Sequence, residues 1–119
     1  MKTVLVVGGA GFLGSHLCDL LLKKDYNIVC VDNLITGSEK NIAHLKDNSS
    51  FTFINHNVIE PLSFSGEVEA IFHLASPASP NHHSRLSYHA LPMETMLVNT
   101  QGTRYLLELA KEKKAKFLY

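Results

Sequence analysis

The sequence has no tryptophan, two cysteines and no excess of either charge, and these shortages limit what the chain can be. Its 11 Lys and Arg residues balance 11 Asp and Glu residues, whereas proteins that bind nucleic acids or anionic membranes usually present a basic surface. It also lacks an apolar run of the roughly 20 residues that a membrane-spanning helix needs. We therefore expect neither nucleic acid nor a membrane as a partner.

The few cysteines and the clustered histidines do not have the spacing of a metal site. Cys18 and Cys30 lie in a predicted helix and a predicted strand, and we expect buried, reduced thiols. His82, His83 and His89 share a loop without a cysteine or carboxylate at ligand spacing, so we expect no metal there. Because the apolar start is broken by glycines and lacks a signal-peptide cleavage site, a cytoplasmic protein is predicted.

Apolar runs alternate with amphipathic stretches along the chain. The length of 119 residues suits one domain with a small core. Residues 3–7 and 27–32 are predicted to be buried strands, residues 51–55 and 69–75 to be two further strands, and residues 115–119 to begin a fifth. Helices are predicted at residues 12–24, at residues 39–45 and from Pro92 onward. This alternation predicts an α/β fold with a doubly wound parallel sheet.

Hydrophobic periodicity also predicts which helix residues face the core. In the first helix the predicted core face consists of leucines: Leu13, Leu17, Leu20 and Leu21. In the last helical stretch Met93 and Met96 are expected to pack in the core. His73, at the end of a buried strand, is expected to be a hydrogen-bonded core residue rather than a catalytic one.

The segment "VVGGAGFLGSH" places three glycines where the first strand passes into the first helix. Unpaired N–H groups at a helix start carry partial positive charge and attract anions. We expect Gly8 to permit the tight turn, Gly11 to let the backbone approach a pyrophosphate, and Gly14 to allow close packing of the helix. Asp32 ends the second strand, where a carboxylate can accept both ribose hydroxyls of an adenosine and repel a 2′-phosphate. Together these residues predict a dinucleotide site that prefers NAD over NADP, although a purely structural role for the glycines, and a turn-capping role for Asp32, remain open.

Four segments, "GGAGFLGSHL", "DNLITG", "HLASPASP" and "NTQGT", resemble the extended short-chain dehydrogenase/reductases, or NAD-dependent epimerases/dehydratases, which act on nucleotide sugars. The "HLASPASP" segment, with "HNVIEPL" before it, is most similar to the UDP-glucuronate decarboxylases, which produce UDP-xylose. The dTDP-glucose dehydratases and UDP-sugar epimerases are close relatives of that group. The resemblance covers the whole chain and implies a Rossmann-type NAD-binding fold.

The resemblance also implies a set of cofactor contacts. The implied contacts with the pyrophosphate are Gly8, Gly11, Phe12 and Leu13. Those with the adenosine ribose are Asp32, Asn33, Thr36 and Gly37, and those with the adenine are Asn57 and Val58. The implied contacts with the nicotinamide half are Leu74, Ala75 and Ser76. Asn99 matches a helix asparagine of the family, for which a structural hydrogen bond is as good an interpretation as a cofactor contact. Asn57 stands where the family has an aspartate, which implies a weaker contact with the adenine.

The catalytic Tyr-x-x-x-Lys pair of the family is absent, because no tyrosine of this sequence has a lysine four residues later. Such a pair shares one helix face, and the lysine lowers the tyrosine pKa so that the phenolate can accept a proton. The resemblance therefore implies that residues 1–119 are the N-terminal part of a dinucleotide-binding domain, truncated at the start of a fifth strand.

The implied parent enzyme is a UDP-glucuronate decarboxylase, and we expect this chain to bind NAD without catalysing turnover. The parent reaction would oxidise C4 of the UDP-sugar acid, release carbon dioxide and reduce the ketone again. A homodimer is expected for the parent. A protein of another class also fits, namely a non-catalytic NAD(P)-binding regulator or scaffold.

Overall fold

The computed structural model describes residues 1–77, 79–81 and 83–119, and its centre is a five-stranded parallel sheet. The strands are β1 (Thr3–Val7), β2 (Asn27–Asp32), β3 (Phe51–Asn55), β4 (Ala70–His73) and β5 (Lys116–Leu118). Their spatial order is β3-β2-β1-β4-β5, with every neighbouring pair parallel. This arrangement confirms the predicted doubly wound α/β fold, and the strand order reverses between β1 and β4.

Helices cover both faces of the sheet. They are α1 (Phe12–Lys23), α2 (Pro92–Leu97) and α3 (Thr103–Lys113), and a π-helical turn, Val98–Gly102, joins α2 to α3. Successive strand residues point to opposite faces, which explains why the central strands β1 and β2 are apolar over most of their length. Leu5 and Ile71 pack with Leu106 of α3 on one face, and on the other Val6 packs in the same cluster as Cys18 of α1. None of the helices in the described ranges combines the length and the apolar character that a membrane crossing requires.

The buried face of α1 agrees only in part with the predicted one, since Leu21 is buried and Leu17 packs against the core. Gly14, Ser15, Cys18 and Leu21 are buried, whereas Leu13 and Leu20 are exposed. A Cβ atom at Gly14 would overlap the carbonyl oxygen of Gly8 and lie 2.7 Å from Cα of Gly9. Because small residues allow this close approach, the helix turns its small side chains toward the sheet and leaves two leucines outside.

The last helical stretch also departs from the prediction. A π-helical turn interrupts it. The buried residues include Val98 and Gly102 in this turn, and Leu106 and Ala110 in α3. Met93 and Met96 are exposed by 57% and 51%, so the prediction that they pack in the core is wrong. No residue of α2 is buried, because α3 rather than α2 packs on the sheet.

The segment predicted as a short helix at residues 39–45 forms two 3₁₀ turns, Glu39–Asn41 and Ala43–Leu45. Ile42, at φ −120° and ψ 2°, lies between them and prevents a continuous helix. The predicted capping chemistry before it is present, because the side chain of Ser38 accepts a hydrogen bond from the Lys40 N–H. Strands β4 and β5 are shorter than the predicted segments and end at His73 and Leu118.

We predict that Gly14→Ala destabilises the fold by at least about 2 kcal/mol, because the new methyl group would meet backbone atoms that cannot rotate away. Urea unfolding measures this loss. Gly11→Ala is the matched control: its Cβ would have one neighbour, the Gly8 oxygen at 3.3 Å, and the expected cost is at most about 1 kcal/mol. A Gly14→Ala protein as stable as the parent chain would contradict this account of α1.

Candidate functional site

A cavity of about 340 Å³ opens at the carboxyl ends of the central strands. It lies where the strand order reverses, which is the usual ligand position in open α/β sheets. The volume falls in the range of small-molecule sites. Its wall is formed by the segments that follow β1, β2, β3 and β4, together with residues of α2 and the π-helical turn.

The glycine-rich turn after β1 forms the floor of this cavity. Gly8 has a φ of +84°, which a side chain would strain, and its Cβ would lie 2.8 Å from the backbone nitrogen of Ala75. Its N–H donates to the Val31 carbonyl at 2.7 Å, and its carbonyl accepts from the Gly11 N–H at 3.1 Å. The turn is thereby fixed to β2 on one side and pressed against the segment after β4 on the other.

The start of α1 points into the cavity without a cap. The N-cap residue is Gly11, which has no side chain to accept a hydrogen bond, and the first turn contains no acidic residue. Phe12, Leu13 and Gly14 line the cavity. Their N–H groups are those that an α-helix cannot pair internally, so this end of the helix attracts an anion.

Asp32 joins the end of β2 to the glycine-rich turn. Its Oδ2 accepts from the Ala10 N–H at 3.0 Å and its Oδ1 accepts from the Leu34 N–H at 2.8 Å. A carboxylate has about four lone-pair directions, so each oxygen can still accept a further hydrogen bond from a ligand in the cavity. The turn-capping role and a ligand-binding role are therefore compatible.

Residues after β3 continue the wall on the far side of Asp32. Asn57 is exposed, and its Oδ1 accepts from the Ile59 N–H at 3.2 Å. His56 lines the cavity beside it, with its Nε2 placed 3.1 Å from the Glu60 carbonyl. Val58 is buried and packs in the core as well as lining the cavity.

The opposite wall follows β4. Leu74, Ala75 and Ser76 line it, and the Leu74 N–H donates to the Val7 carbonyl at 2.8 Å. Asn99 does not line the cavity itself. Its Nδ2 donates to Ser76 Oγ at 2.9 Å and to the Thr95 carbonyl at 2.8 Å, and its Oδ1 accepts from the Tyr119 hydroxyl at 2.6 Å.

The structure brings almost all the sequence-predicted site residues to this one cavity. Gly37 and Asn99 are the exceptions, since Gly37 packs against the backbone of Ala10 and Asn99 acts through Ser76. Asn33 and Thr36 lie in the cavity lining, where the sequence analysis placed them. The side-chain oxygen of Asn33 accepts a hydrogen bond from the Ile35 N–H.

Further lining residues were absent from the sequence prediction: Val7, Gly14, Val31, Ile35, His56, Ile59, Pro77, Glu94 and Val98. Most of them adjoin a predicted residue at the end of a strand, so position at a strand's carboxyl end is the signal that could have found them. Glu94 and Val98 reach the cavity because the helical stretch folds back over β4. No local sequence pattern predicts that packing.

His73 is a buried core residue, as predicted, with 3% of its surface exposed. Its Nε2 lies 3.2 Å from the Val98 carbonyl, and its Nδ1 has no hydrogen-bond partner among the described residues. Burial lowers the pKa of His73 from its ordinary value, and the hydrogen bond to Val98 opposes that shift in part. The ring is therefore neutral in the folded chain near pH 7.

The cysteines form a buried pair beneath the glycine-rich turn. Cys18 and Cys30 are both free thiols, as predicted, and a Cβ at Gly9 would lie 2.5 Å from the Cys30 sulfur and 3.3 Å from the Cys18 sulfur. The contact with Cys18 raises the pKa of the Cys30 thiol, and burial raises it further. A buried thiol of raised pKa is unreactive. Gly9, which no sequence argument singled out, is thus needed to leave room for both sulfurs.

No group of three or more His, Cys, Asp or Glu side chains within the described residues has the arrangement of a metal site. His82, one of the clustered histidines, lies outside the described residues. His83 and His89 are described and are exposed.

Comparison with known proteins gives a family and named relatives. The family model described as "NAD dependent epimerase/dehydratase family" matches residues 4–119. UDP-glucuronic acid decarboxylase 1 of Danio rerio is 44% identical over 98% of this chain. The chain spans 26% of that relative's length, so most of the relative has no counterpart here.

Solved structures show the same fold. Epimerase Mth375 of Methanothermobacter thermautotrophicus superposes with a TM-score of 0.81 at 30% identity, covering 98% of this chain and 34% of that one. UDP-glucose 4-epimerase of Thermus thermophilus, solved as a complex with NAD, superposes with a TM-score of 0.71 at 26% identity, covering 95% of this chain and 35% of that one.

We predict that the chain loses stability as the pH falls below about 6.5. This is the ordinary pKa of histidine, and His73 has that pKa when the chain is unfolded. Below that pH His73 binds a proton more readily in the unfolded state than in the folded state, because burial lowers its pKa in the folded chain, so acid favours unfolding. Urea unfolding of the parent chain and of His73→Gln between pH 8 and pH 5 measures this, and the variant should lose less stability over the acid part of the range. Above pH 7.5 the difference between the two proteins should be constant. Parallel stability profiles down to pH 5 would contradict the buried, neutral state of this ring.

Proposed function

The chain belongs to the NAD dependent epimerase/dehydratase family, and we propose that it is the cofactor-binding part of an NAD-dependent enzyme that modifies a nucleotide sugar. The observation that carries the proposal is the junction of an uncapped helix start with the Asp32 carboxylate in one cavity. A dinucleotide needs both features side by side, because its pyrophosphate is anionic and its adenosine ribose donates hydroxyl groups.

The pyrophosphate would lie against the glycine-rich turn and the start of α1. Phosphate oxygens can approach closely there, because Gly8 and Gly11 have no side chains. The N–H groups at the start of α1 are also available to them, because no side chain caps the helix. Because the first turn contains no acidic residue, no carboxylate repels the anion from within the helix.

Asp32 would hold the adenosine ribose and select NAD over NADP. Its two oxygens are already oriented by backbone N–H groups of Ala10 and Leu34 and retain lone pairs for the 2′- and 3′-hydroxyls. A 2′-phosphate at the same place would bring a second negative charge against this carboxylate. The preference therefore follows from one side chain.

The order of the strands gives the dinucleotide its direction. β2 and β3 lie on one side of β1 and β4 lies on the other. With the ribose at the end of β2, the adenine would extend toward Asn57 and Val58 after β3. The nicotinamide half would extend across Leu74, Ala75 and Ser76 after β4.

For the complete enzyme we propose UDP-glucuronate as the substrate and decarboxylation as the reaction. The support is the 44% identity to a relative named UDP-glucuronic acid decarboxylase 1. NAD bound in such an enzyme serves as hydride acceptor and donor. The residues described here would bind and orient the cofactor, and the catalytic tyrosine and lysine would come from sequence outside residues 1–119.

Two other functions are also candidates. A UDP-sugar 4-epimerase is the second, because solved epimerase structures share the fold. A dehydratase is the third, because dTDP-glucose 4,6-dehydratase from Bacillus anthracis, solved with NAD, shares it as well.

We predict that Asp32→Ala weakens NAD binding roughly ten- to hundredfold, the loss expected for hydrogen bonds to a charged group. NADP should lose little, because the same change removes a repulsion, so the ratio of NADP to NAD affinity should rise. Isothermal titration of the chain with each dinucleotide measures both values.

Asp47→Ala is the matched control for the loss of one carboxylate, since Asp47 is an exposed turn residue that does not line the cavity. It should leave both affinities unchanged. An unaltered NADP to NAD ratio in Asp32→Ala would overturn the role of Asp32 even if both affinities fell together.

A further inference from the structure

Among the described residues, His73 is the one buried imidazole next to the cavity, and the proposed function gives it no role. It ends β4 and directly precedes Leu74, Ala75 and Ser76, which line the wall. The Val98 carbonyl near its Nε2 can only accept a hydrogen bond, so Nε2 carries the proton and donates at 3.2 Å. Nδ1 is then a bare acceptor, buried and unpartnered within the part of the chain that the structure describes.

The acceptor of this bond lies in an unusual stretch of backbone. Val98 begins the π-helical turn, a geometry that is rare and is frequently found at functional sites. The regular helical pairing of carbonyls is interrupted there, and the Thr103 hydroxyl lies 3.0 Å from the Asn99 carbonyl and 3.5 Å from the Val98 carbonyl. His73 therefore fastens the irregular part of the helical stretch to the end of β4.

The next residue carries this restraint to the cavity. Asn99 Nδ2 bonds both its own helix, through the Thr95 carbonyl, and the cavity wall, through Ser76 Oγ. Val98 itself lines the cavity. The contact of His73 with Val98 thus joins the helical stretch to β4, and the contact of Asn99 with Ser76 joins it to the segment after β4. They lie at the end of the cavity opposite to Asp32.

We propose that His73 is a positioning residue for the nicotinamide half of the dinucleotide: its Nε2–H bond to the Val98 carbonyl holds the π-helical turn so that Asn99 fixes Ser76 in the cavity wall. The inference rests on the proposed function, because it assumes a dinucleotide in this cavity. It assigns His73 no contact with the cofactor. Loss of this restraint should not change the affinity for a ligand that ends at the pyrophosphate. It should lower the affinity for a ligand that extends past β4.

The test compares NAD with ADP, which shares the adenosine and the two phosphates but lacks the nicotinamide nucleotide. Isothermal titration is performed on the chain, on His73→Leu and on His73→Gln. His73→Leu removes the donor, and we expect a roughly tenfold loss of NAD affinity, which corresponds to one lost hydrogen bond of ordinary strength, with ADP affinity changed less than about twofold. His73→Gln retains an N–H donor near the position of Nε2, so NAD affinity should stay within about twofold of the parent value.

Ser87→Ala is the matched control. Ser87 is fully buried, and its hydroxyl donates to the Ser84 carbonyl at 3.0 Å, but it does not line the cavity. Its removal costs two side-chain to backbone hydrogen bonds, because the hydroxyl oxygen also accepts from the Ala90 N–H at 3.1 Å. Both affinities should be unchanged in this variant.

Equal losses of NAD and ADP affinity in His73→Leu would overturn the proposal, because they would indicate a general structural role. Unchanged affinities for both would overturn it as well. If the parent chain binds neither ligand, the proposed function fails together with this inference, whereas intact NAD binding in all variants removes the inference alone.

A measurement on the parent chain covers the case in which His73→Leu does not fold. In ¹⁵N-labelled protein the imidazole nitrogens should show the Nε2–H tautomer, and NAD should shift the signals of the His73 ring and the Asn99 side-chain amide. ADP should leave them in place. Equal shifts with both ligands, or the Nδ1–H tautomer, would contradict the proposal.

Discussion

A Cβ atom at Gly14 would overlap the carbonyl oxygen of Gly8, so α1 can follow β1 this closely only because a glycine stands there. That approach aims the free N–H groups of the first helical turn at the cavity and, through the same turn, brings Ala10 within reach of the Asp32 carboxylate. It also places Cys18 and Leu21 of α1 in the core and leaves Leu13 and Leu20 exposed. The free start of α1 and the oriented Asp32 carboxylate are thus two consequences of one backbone contact.

The two sides of the cavity are held by different chemistry. On the β2 side a charged side chain bonds to backbone N–H groups, and the Ala10 carbonyl accepts from the Ser38 N–H and the Asn41 side chain. On the β4 side neutral groups do this work, through His73, Asn99 and Ser76. The two sides meet at Gly8, which packs against the backbone of Leu74 and Ala75.

The sheet and the position of the site could be predicted from the sequence, and the packing of the helices could not. β1 and β2 are uniformly apolar and end in glycines and in Asp32, so strand bounds and ligand side follow from local chemistry. The predicted face of α1 is right at Leu21 and wrong at Leu13 and Leu20, because hydrophobic periodicity favours leucines, whereas close packing at Gly14 selects small residues. Met93 and Met96 were misplaced for a related reason, since a periodic pattern does not show where a helix leaves the sheet. The π-helical turn and the roles of His73 and Gly9 depend on contacts between residues far apart in sequence, which no local pattern contains.

The most direct measurement of the central claim, that the free end of α1 binds the phosphates of a dinucleotide, is an amide ¹H–¹⁵N titration of the chain with NAD and, separately, with adenosine. The account predicts saturable shifts with NAD that are largest for Phe12, Leu13 and Gly14, and no comparable shifts at these amides with adenosine, which has no phosphate. Amides at the start of α1 that stay in place at saturating NAD, or that move equally with adenosine, would contradict it.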